Sequence, residues 1–191
     1  KEERAILDES LEISLTEIQK MKLLIEEMLK LAKNEHHTMR EATSVISVLH
    51  QLQQNYFHLS PETIIEIKGE MQVKVPVPPT ALEQILRNLI ENAIKYNDKK
   101  PFIKATVICN MDHVQITVED NGVGIERTLL PKIFERFFIV DEARTKNKGG
   151  SGLGLSIVKS LVIEYGGTIS VTSEKEKGTN FYILFPKLTS E

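Results

Sequence analysis

The sequence predicts an α+β fold: a two-layer sandwich in which one mixed, mainly antiparallel sheet is covered by about three helices, preceded by one long coiled-coil-like helix. Three observations predict it. Residues 4–34 contain no glycine or proline and repeat apolar side chains at alternating spacings of four and three. Beyond residue 42, helical and strand-like segments follow one another in irregular order instead of as regular βα repeats. Lys104–Cys109 and Val114–Glu119 alternate like two strands joined by the turn Asn110-Met111-Asp112-His113.

The heptad seam of the first segment runs through Leu7, Leu11, Ser14, Ile18, Met21, Ile25, Met28 and Ala32. A second row, Leu15, Leu24, Leu29 and Leu31, widens the apolar face to what a bundle of about four helices needs. The chain offers no second helix of that length, so another copy is expected to supply part of the bundle, making a homodimer. Residues 35–42 are mostly polar and read as a hinge, leaving 43–191 as the second domain. There the pattern predicts a helix over Ser44–Tyr56, strands over Thr63–Lys68 and Gln72–Val75, and an amphipathic helix over Pro79–Tyr96. After the hairpin and a glycine-rich stretch come a helix over Gly154–Tyr165 and strands over Thr168–Ser173 and Thr179–Phe185. A charged turn ending in Gly178 joins the last two.

Composition narrows the function classes. The 191 residues are 41% hydrophobic and 27% charged, ordinary for a chain that buries a core. A net charge of −3 without a long basic run gives no reason to expect nucleic acid. The single cysteine, Cys109, excludes an intrachain disulfide and reads as a small buried residue. No apolar run reaches the ~18 residues of a membrane span, and no signal peptide is visible. The opening KEER lacks methionine and already lies inside a helical pattern. We read it as the start of a piece of a longer protein, whose upstream part would carry any membrane anchor.

Three stretches carry candidate chemistry. In LRNLIENAIKYN, Asn88 and Asn92 are four apart and share one helix face beside Ile85, Leu89 and Ala93. Their carbonyl oxygens suit Mg²⁺, a hard cation that prefers oxygen, although solvated surface amides would give the same pattern. Lys95 and Tyr96 at the helix end could meet phosphate. In Glu119-Asp120-Asn121-Gly122-Val123-Gly124-Ile125, a carboxylate at a strand end is followed by glycines that let backbone approach a ligand. An ordinary Asp-Asn-Gly turn remains open at this point. Gly149-Gly150-Ser151-Gly152-Leu153-Gly154-Leu155 leads into a helix, so its backbone amides form a natural anion site. It is neither a Walker A loop nor a dinucleotide fingerprint.

Together and in this order, the stretches resemble the ATP-binding domain of sensor histidine kinases, within the wider group of gyrase, heat-shock chaperone and mismatch-repair ATPases. NLIENAIKY is similar to that family's N box, DNGVGI to its first glycine box, FERFF to its F box and GGSGLGLSIVK to its second glycine box. EYGGTISVTSEKEKGTNFYILFP resembles the closing helix–strand–strand segment, and residues 4–34 resemble the second helix of a dimerisation hairpin. The resemblance implies a Bergerat-type ATP fold with ATP and Mg²⁺ as ligands. It implies that Asp120 accepts the adenine amino group with Thr179 nearby through water, that Asn92 with Asn88 holds Mg²⁺, and that Lys95 and Tyr96 touch phosphates. Arg136 would help position the γ-phosphate, and Phe134 and Phe137 would anchor the hinge of a lid over residues 139–153. Within and around that lid, Arg144, Lys148, Gly150, Gly152, Leu153, Gly154 and Leu155 would face the nucleotide, as would Gly122, Gly124 and Ile125 of the first box.

The implied reaction is transfer of the ATP γ-phosphoryl group to a histidine on an upstream helix, for relay to the receiver domain of a response regulator. Asn88, Lys95 and Arg136 would form the catalytic set. The chain would be a cytoplasmic domain of a membrane-anchored bacterial sensor, the membrane reached only through that upstream anchor. Two features depart from the family pattern. Ile139 stands where an arginine is usual. None of His36, His37, His50, His58 and His113 is followed by Glu or Asp, so no phosphoacceptor is expected in this chain. Gyrase-like relatives carry a water-activating glutamate where this chain has Asn88, whose amide takes no proton. Glu91 is on the same helix, but ~100° per residue turns it away from Asn92. The alternatives are an ATPase of the gyrase or mismatch-repair type and a nucleotide-sensing pseudokinase module.

Overall fold

Five strands form the main sheet in the order β2-β4-β5-β7-β6: β2 (Ile64–Lys68), β4 (Phe102–Cys109), β5 (His113–Asp120), β7 (Gly178–Pro186) and β6 (Thr168–Glu174). The computed structural model describes residues 42–140 and 152–188, all within one compact unit, Arg40–Glu191. The helix expected over 4–34, nearly all of the hinge and the lid centre at 141–151 lie outside the described residues. β2 joins β4 in parallel and every other pairing of the main sheet is antiparallel, so the sheet is mixed as expected. A two-residue pair, β1 (Thr43–Ser44) with β3 (Lys74–Val75), sits apart from it.

Three helices complete the described fold: α1 (Val45–Leu59), α2 (Pro79–Lys95) and α3 (Gly154–Glu164). Ser44 starts α1 by accepting from Ser47 N, and Pro79 enters α2 in the first turn, where its missing N–H costs nothing. Register turns strand alternation into one apolar layer, since Val118 faces both Ala105 and Phe181, and Ile116 faces Val107 and Ile183. The helices bury Leu49, Leu52, Leu82, Ile85, Leu86, Leu89, Val158 and Val162 in the same cluster. Each such side chain contributes roughly 1.5–3 kcal/mol by leaving water.

Three expectations need correction. α1 continues past Tyr56 to Leu59, because Phe57 and Leu59 are 70% and 78% exposed and break the apolar stripe that marked its end. β4 begins at Phe102, whose outward-facing ring beside the buried Ile103 hides the alternation. Cys109 is exposed and not buried: its parity matches Ile103, Ala105 and Val107, but it lies at the hairpin end of the strand, beyond the buried part of the layer.

Candidate functional site

At the end of β5 the Asp120 carboxylate is built into a turn. Its Oδ1 accepts from Gly122 N at 2.8 Å and from Thr179 N at 3.2 Å, the second bond reaching the start of β7. Nothing among the described residues donates to Oδ2. Burial raises the Asp120 pKa and outweighs the two backbone bonds, which lower it. The following residues are stitched to the β6–β7 turn: Glu176 N donates to Val123 O at 2.7 Å and Ile125 N to Ser173 Oγ at 2.8 Å. Gly124 and Gly178 both take positive φ, +66° and +117°, where a Cβ would overlap the Glu174 and Asp120 carbonyls respectively. Asp120, Gly122, Gly124, Ile125 and Thr179 are therefore one assembly.

The second assembly joins α2 to α3. A Cβ at Gly154 would lie 3.8 Å from Asn88 Oδ1 and 3.9 Å from Asn92 Nδ2, so both amides face the first turn of α3. Among the described residues no side chain caps that turn and no acidic residue occupies it, so its N–H groups suit an anion. Asn88 Nδ2 is buried without a hydrogen-bond partner among the described residues. A buried orphan amide donor beside a helix N-terminus fits a phosphate oxygen. Among the described residues no group of three or more His, Cys, Asp or Glu could hold a metal, so a cation here would rest on amide oxygens and the ligand's own phosphates. Glu91 points elsewhere: its Oε1 accepts from Tyr56 Oη at 3.1 Å, on the α1 side of α2.

Lys95 and Tyr96 close α2, the ammonium lying 5.1 Å from the Tyr96 ring centroid. Burial lowers the Lys95 pKa and raises that of the Tyr96 hydroxyl. The Tyr96 carbonyl accepts from Val123 N at 3.0 Å, which is why Gly122 must be small: a Cβ there would come within 2.7 Å of that oxygen. A cavity of about 470 Å³ lies between the C-terminal ends of α1 and α2; of the expected site residues it borders only Lys95.

Phe137 and Gly152 meet at the base of the expected lid. Phe137 N donates to Gly152 O at 3.0 Å, and both take positive φ, +63° and +68°. Phe134 packs edge-on against Phe181 at 6.4 Å and lies under the Lys159 ammonium at 5.6 Å. Leu153 is buried and Leu155 packs against the core, so any role for Leu153 toward a ligand falls to its backbone. Arg136 is exposed on the turn before Phe137. Arg144, Lys148 and Gly150 lie outside the described residues.

Residues 78–189 match the model of the "Histidine kinase-, DNA gyrase B-, and HSP90-like ATPase" family. The chain belongs to this family. Among curated members, the signal transduction histidine-protein kinase ArlS of Staphylococcus epidermidis is 35% identical over 192 residues, covering 98% of this chain and 42% of its own length. ArlS of Staphylococcus aureus is 34% identical with the same 42% covered. The chain thus spans about two fifths of the curated relatives it matches. Among solved structures, the mycobacterial sensor histidine kinase MprB superposes with a TM-score of 0.68 at 25% identity, covering 78% of this chain and 100% of that one. Full-length ShkA in complex with AMPPNP gives 0.65 at 27% identity, covering 78% of this chain and 31% of that one.

Within this histidine kinase-like ATPase fold, residues that the motifs did not single out also build the site. Asn97 Nδ2 donates to Asn121 Oδ1 at 2.7 Å, and that oxygen also accepts from Phe102 N at 2.8 Å. Asn121 Nδ2 donates to Lys100 O at 3.1 Å, and Lys99 N to Asn97 Oδ1 at 2.8 Å. The pair ties the end of α2 to the Asp120 turn. Ser173 was missed as well; its hydroxyl lies between Ile125, Gly178 and Thr179. The sequence signal for Asn97 was its place directly after Tyr96. For Ser173 there was none beyond a polar residue at a strand end.

Proposed function

We propose that this chain is the ATP-binding catalytic part of a sensor histidine kinase, which transfers the ATP γ-phosphoryl group to a histidine on a helix upstream of residue 1. The observation that carries the reading is the meeting of Asn88 and Asn92 with the first turn of α3, which offers amides and helix N–H groups to one polyphosphate. That ShkA was solved in complex with AMPPNP supports a nucleotide as the ligand. In this reading Asp120 Oδ2 accepts from the adenine amine, with Thr179 beside it. Because Oδ1 already holds two backbone donors, one carboxylate oxygen remains for the base. Asn92 and Asn88 hold Mg²⁺, which when bound neutralises phosphate charge. Lys95, Tyr96, Arg136 and the lid residues Arg144 and Lys148 grip the phosphates, so the domain works by positioning and charge.

Residues 1–34 would then pack with a second copy as half of a dimerising bundle, 35–42 would be the hinge, and 43–191 the catalytic domain. The phosphorylated histidine would pass its group to a response-regulator aspartate. Among the described residues no helix is long and apolar enough to cross a membrane. In this reading a segment upstream would carry the anchor and this domain would face the cytoplasm. Asn88 favours the kinase over the ATPase reading, since an amide activates no water, and Glu91 is engaged by Tyr56.

The test is incubation with Mg²⁺ and γ-labelled ATP, of this chain and of one extended upstream through a His-Glu or His-Asp helix. The extended chain should acquire acid-labile, base-stable label; this chain should bind nucleotide, stay unlabelled and release phosphate slowly. Brisk release by both would move the protein to the ATPase alternative. Binding without label on the extended chain would favour the nucleotide-sensing one.

A further inference from the structure

The geometry points to Ser173 as a specificity-determining residue: it holds the Thr179 hydroxyl in one proton orientation, so that Thr179 faces the base as an acceptor only. This deepens the nucleotide reading above and rests on it. A serine hydroxyl has one proton and two lone pairs. Around Ser173 Oγ stand an obligate donor, Ile125 N at 2.8 Å, and an obligate acceptor, Gly178 O at 2.8 Å. The first takes one lone pair and the second takes the proton. Thr179 Oγ1, at 3.0 Å, can then only donate into the remaining lone pair.

That count uses up the Thr179 proton. Thr179 is 6% exposed, and among the described residues its hydroxyl makes no other bond. Its backbone N–H is committed to Asp120 Oδ1 at 3.2 Å, which sets it beside the carboxylate. The edge these two residues present is therefore acceptor and acceptor: Asp120 Oδ2 and the lone pairs of Thr179 Oγ1. An exocyclic amine with two N–H bonds satisfies such an edge by direct contact. A carbonyl in the same position meets lone pairs with lone pairs and leaves buried acceptors unpaired. Without the Ser173 acceptor, the Thr179 hydroxyl could rotate and donate to that carbonyl. Ser173 acts through Thr179 and is a positioning residue.

The experiment compares ATP with inosine triphosphate, which carries a carbonyl in place of the amine. Affinities are measured by calorimetry with Mg²⁺ present, and thermal melts confirm that each variant is folded. The parent should prefer ATP. Ser173→Ala should narrow the ATP/ITP affinity ratio by roughly tenfold, the scale of one hydrogen bond to a buried polar group. Ser173→Thr, which keeps the hydroxyl, should restore the ratio. In a Thr179→Val background, Ser173→Ala should leave the ratio where Thr179→Val put it. Thr179→Val alone should weaken ATP more than ITP, a comparison that stands even if Ser173→Ala does not fold. An unchanged ratio in Ser173→Ala would overturn the inference, as would a Ser173 effect that persists without the Thr179 hydroxyl or a Thr179→Val loss borne mainly by ITP. A parent that binds neither nucleotide, with its fold intact, would sink the nucleotide reading itself and this inference with it.

Discussion

Asn97 and Asn121, 24 residues apart, are joined by a 2.7 Å hydrogen bond that fastens the end of α2 to the turn after β5. Asn97 is buried, and both of its amide atoms are bonded. Asn97→Ala removes the bonds to Asn121 and Lys99 and leaves Lys99 N without its side-chain acceptor. The expected loss is about 1–3 kcal/mol, read as a lower denaturation midpoint at unchanged slope. Nucleotide affinity should fall with it, because the Asp120 turn would be left with the Val123 N to Tyr96 O bond as its backbone tie to the end of α2.

Asp120→Asn separates the structural oxygen from the ligand-facing one. The amide Oδ1 can still accept from Gly122 N and Thr179 N, so the melting temperature should hold or rise. The ligand-facing atom becomes a donor, and a lost bond to a charged group costs roughly 1.5–3 kcal/mol, about ten- to a hundredfold in ATP affinity. Calorimetry showing parental affinity would remove Asp120 from the base site.

Acid should act on Asp120 in two opposite directions. Burial raises its folded pKa above the ordinary 3.8, so the folded chain holds this proton more tightly than the unfolded one. Its contribution to stability is therefore fully present below 3.8 and is lost as pH rises through the raised folded value. Nucleotide affinity needs the ionised oxygen and should weaken as pH falls through the same raised value. Titrating ATP across that range should show this step in the parent and its absence in Asp120→Asn, where the nucleotide's own ionisation is the shared background.

Gly178→Ala should be among the most damaging single substitutions in the described fold. Its φ of +117° is poor for any side chain, and the new methyl would overlap the Asp120 carbonyl oxygen. Backbone strain of this kind costs about 1–3 kcal/mol before the clash is relieved. Relief would pull β7 from β5 at the site, so chemical denaturation should show a large loss of stability together with loss of nucleotide binding.

Much of the fold was legible because single segments carried their own period. α2 shows it best: Ala81, Leu82, Ile85, Leu86, Leu89 and Ala93 stripe one face, Pro79 opens the helix and Tyr96 closes it. Pairing was harder. Nothing within Ile64–Lys68 says that it lies parallel to β4, and the two-residue strands β1 and β3 are too short to show alternation. The same division holds in the candidate site. Asn88 and Asn92 could be set on one face from their spacing alone, whereas Asp120 and Thr179 were associated only through the family resemblance. The Asn97–Asn121 and Ser173–Thr179 bonds depend on where polar side chains land after folding, which local pattern does not encode.

The bond from Thr179 to Asp120 spans 59 residues, and its donor belongs to β7, the last of the described strands in chain order. A growing chain that has left the ribosome only as far as α3 has its two asparagines and its glycine-rich segments but no closed base site. Pairings this distant in sequence also form late and slowly in refolding, after the β4–β5 hairpin. Nucleotide cannot template the early steps, since its binding surface is a product of the final one. It can only latch the finished domain, so added ATP should slow unfolding far more than it speeds folding.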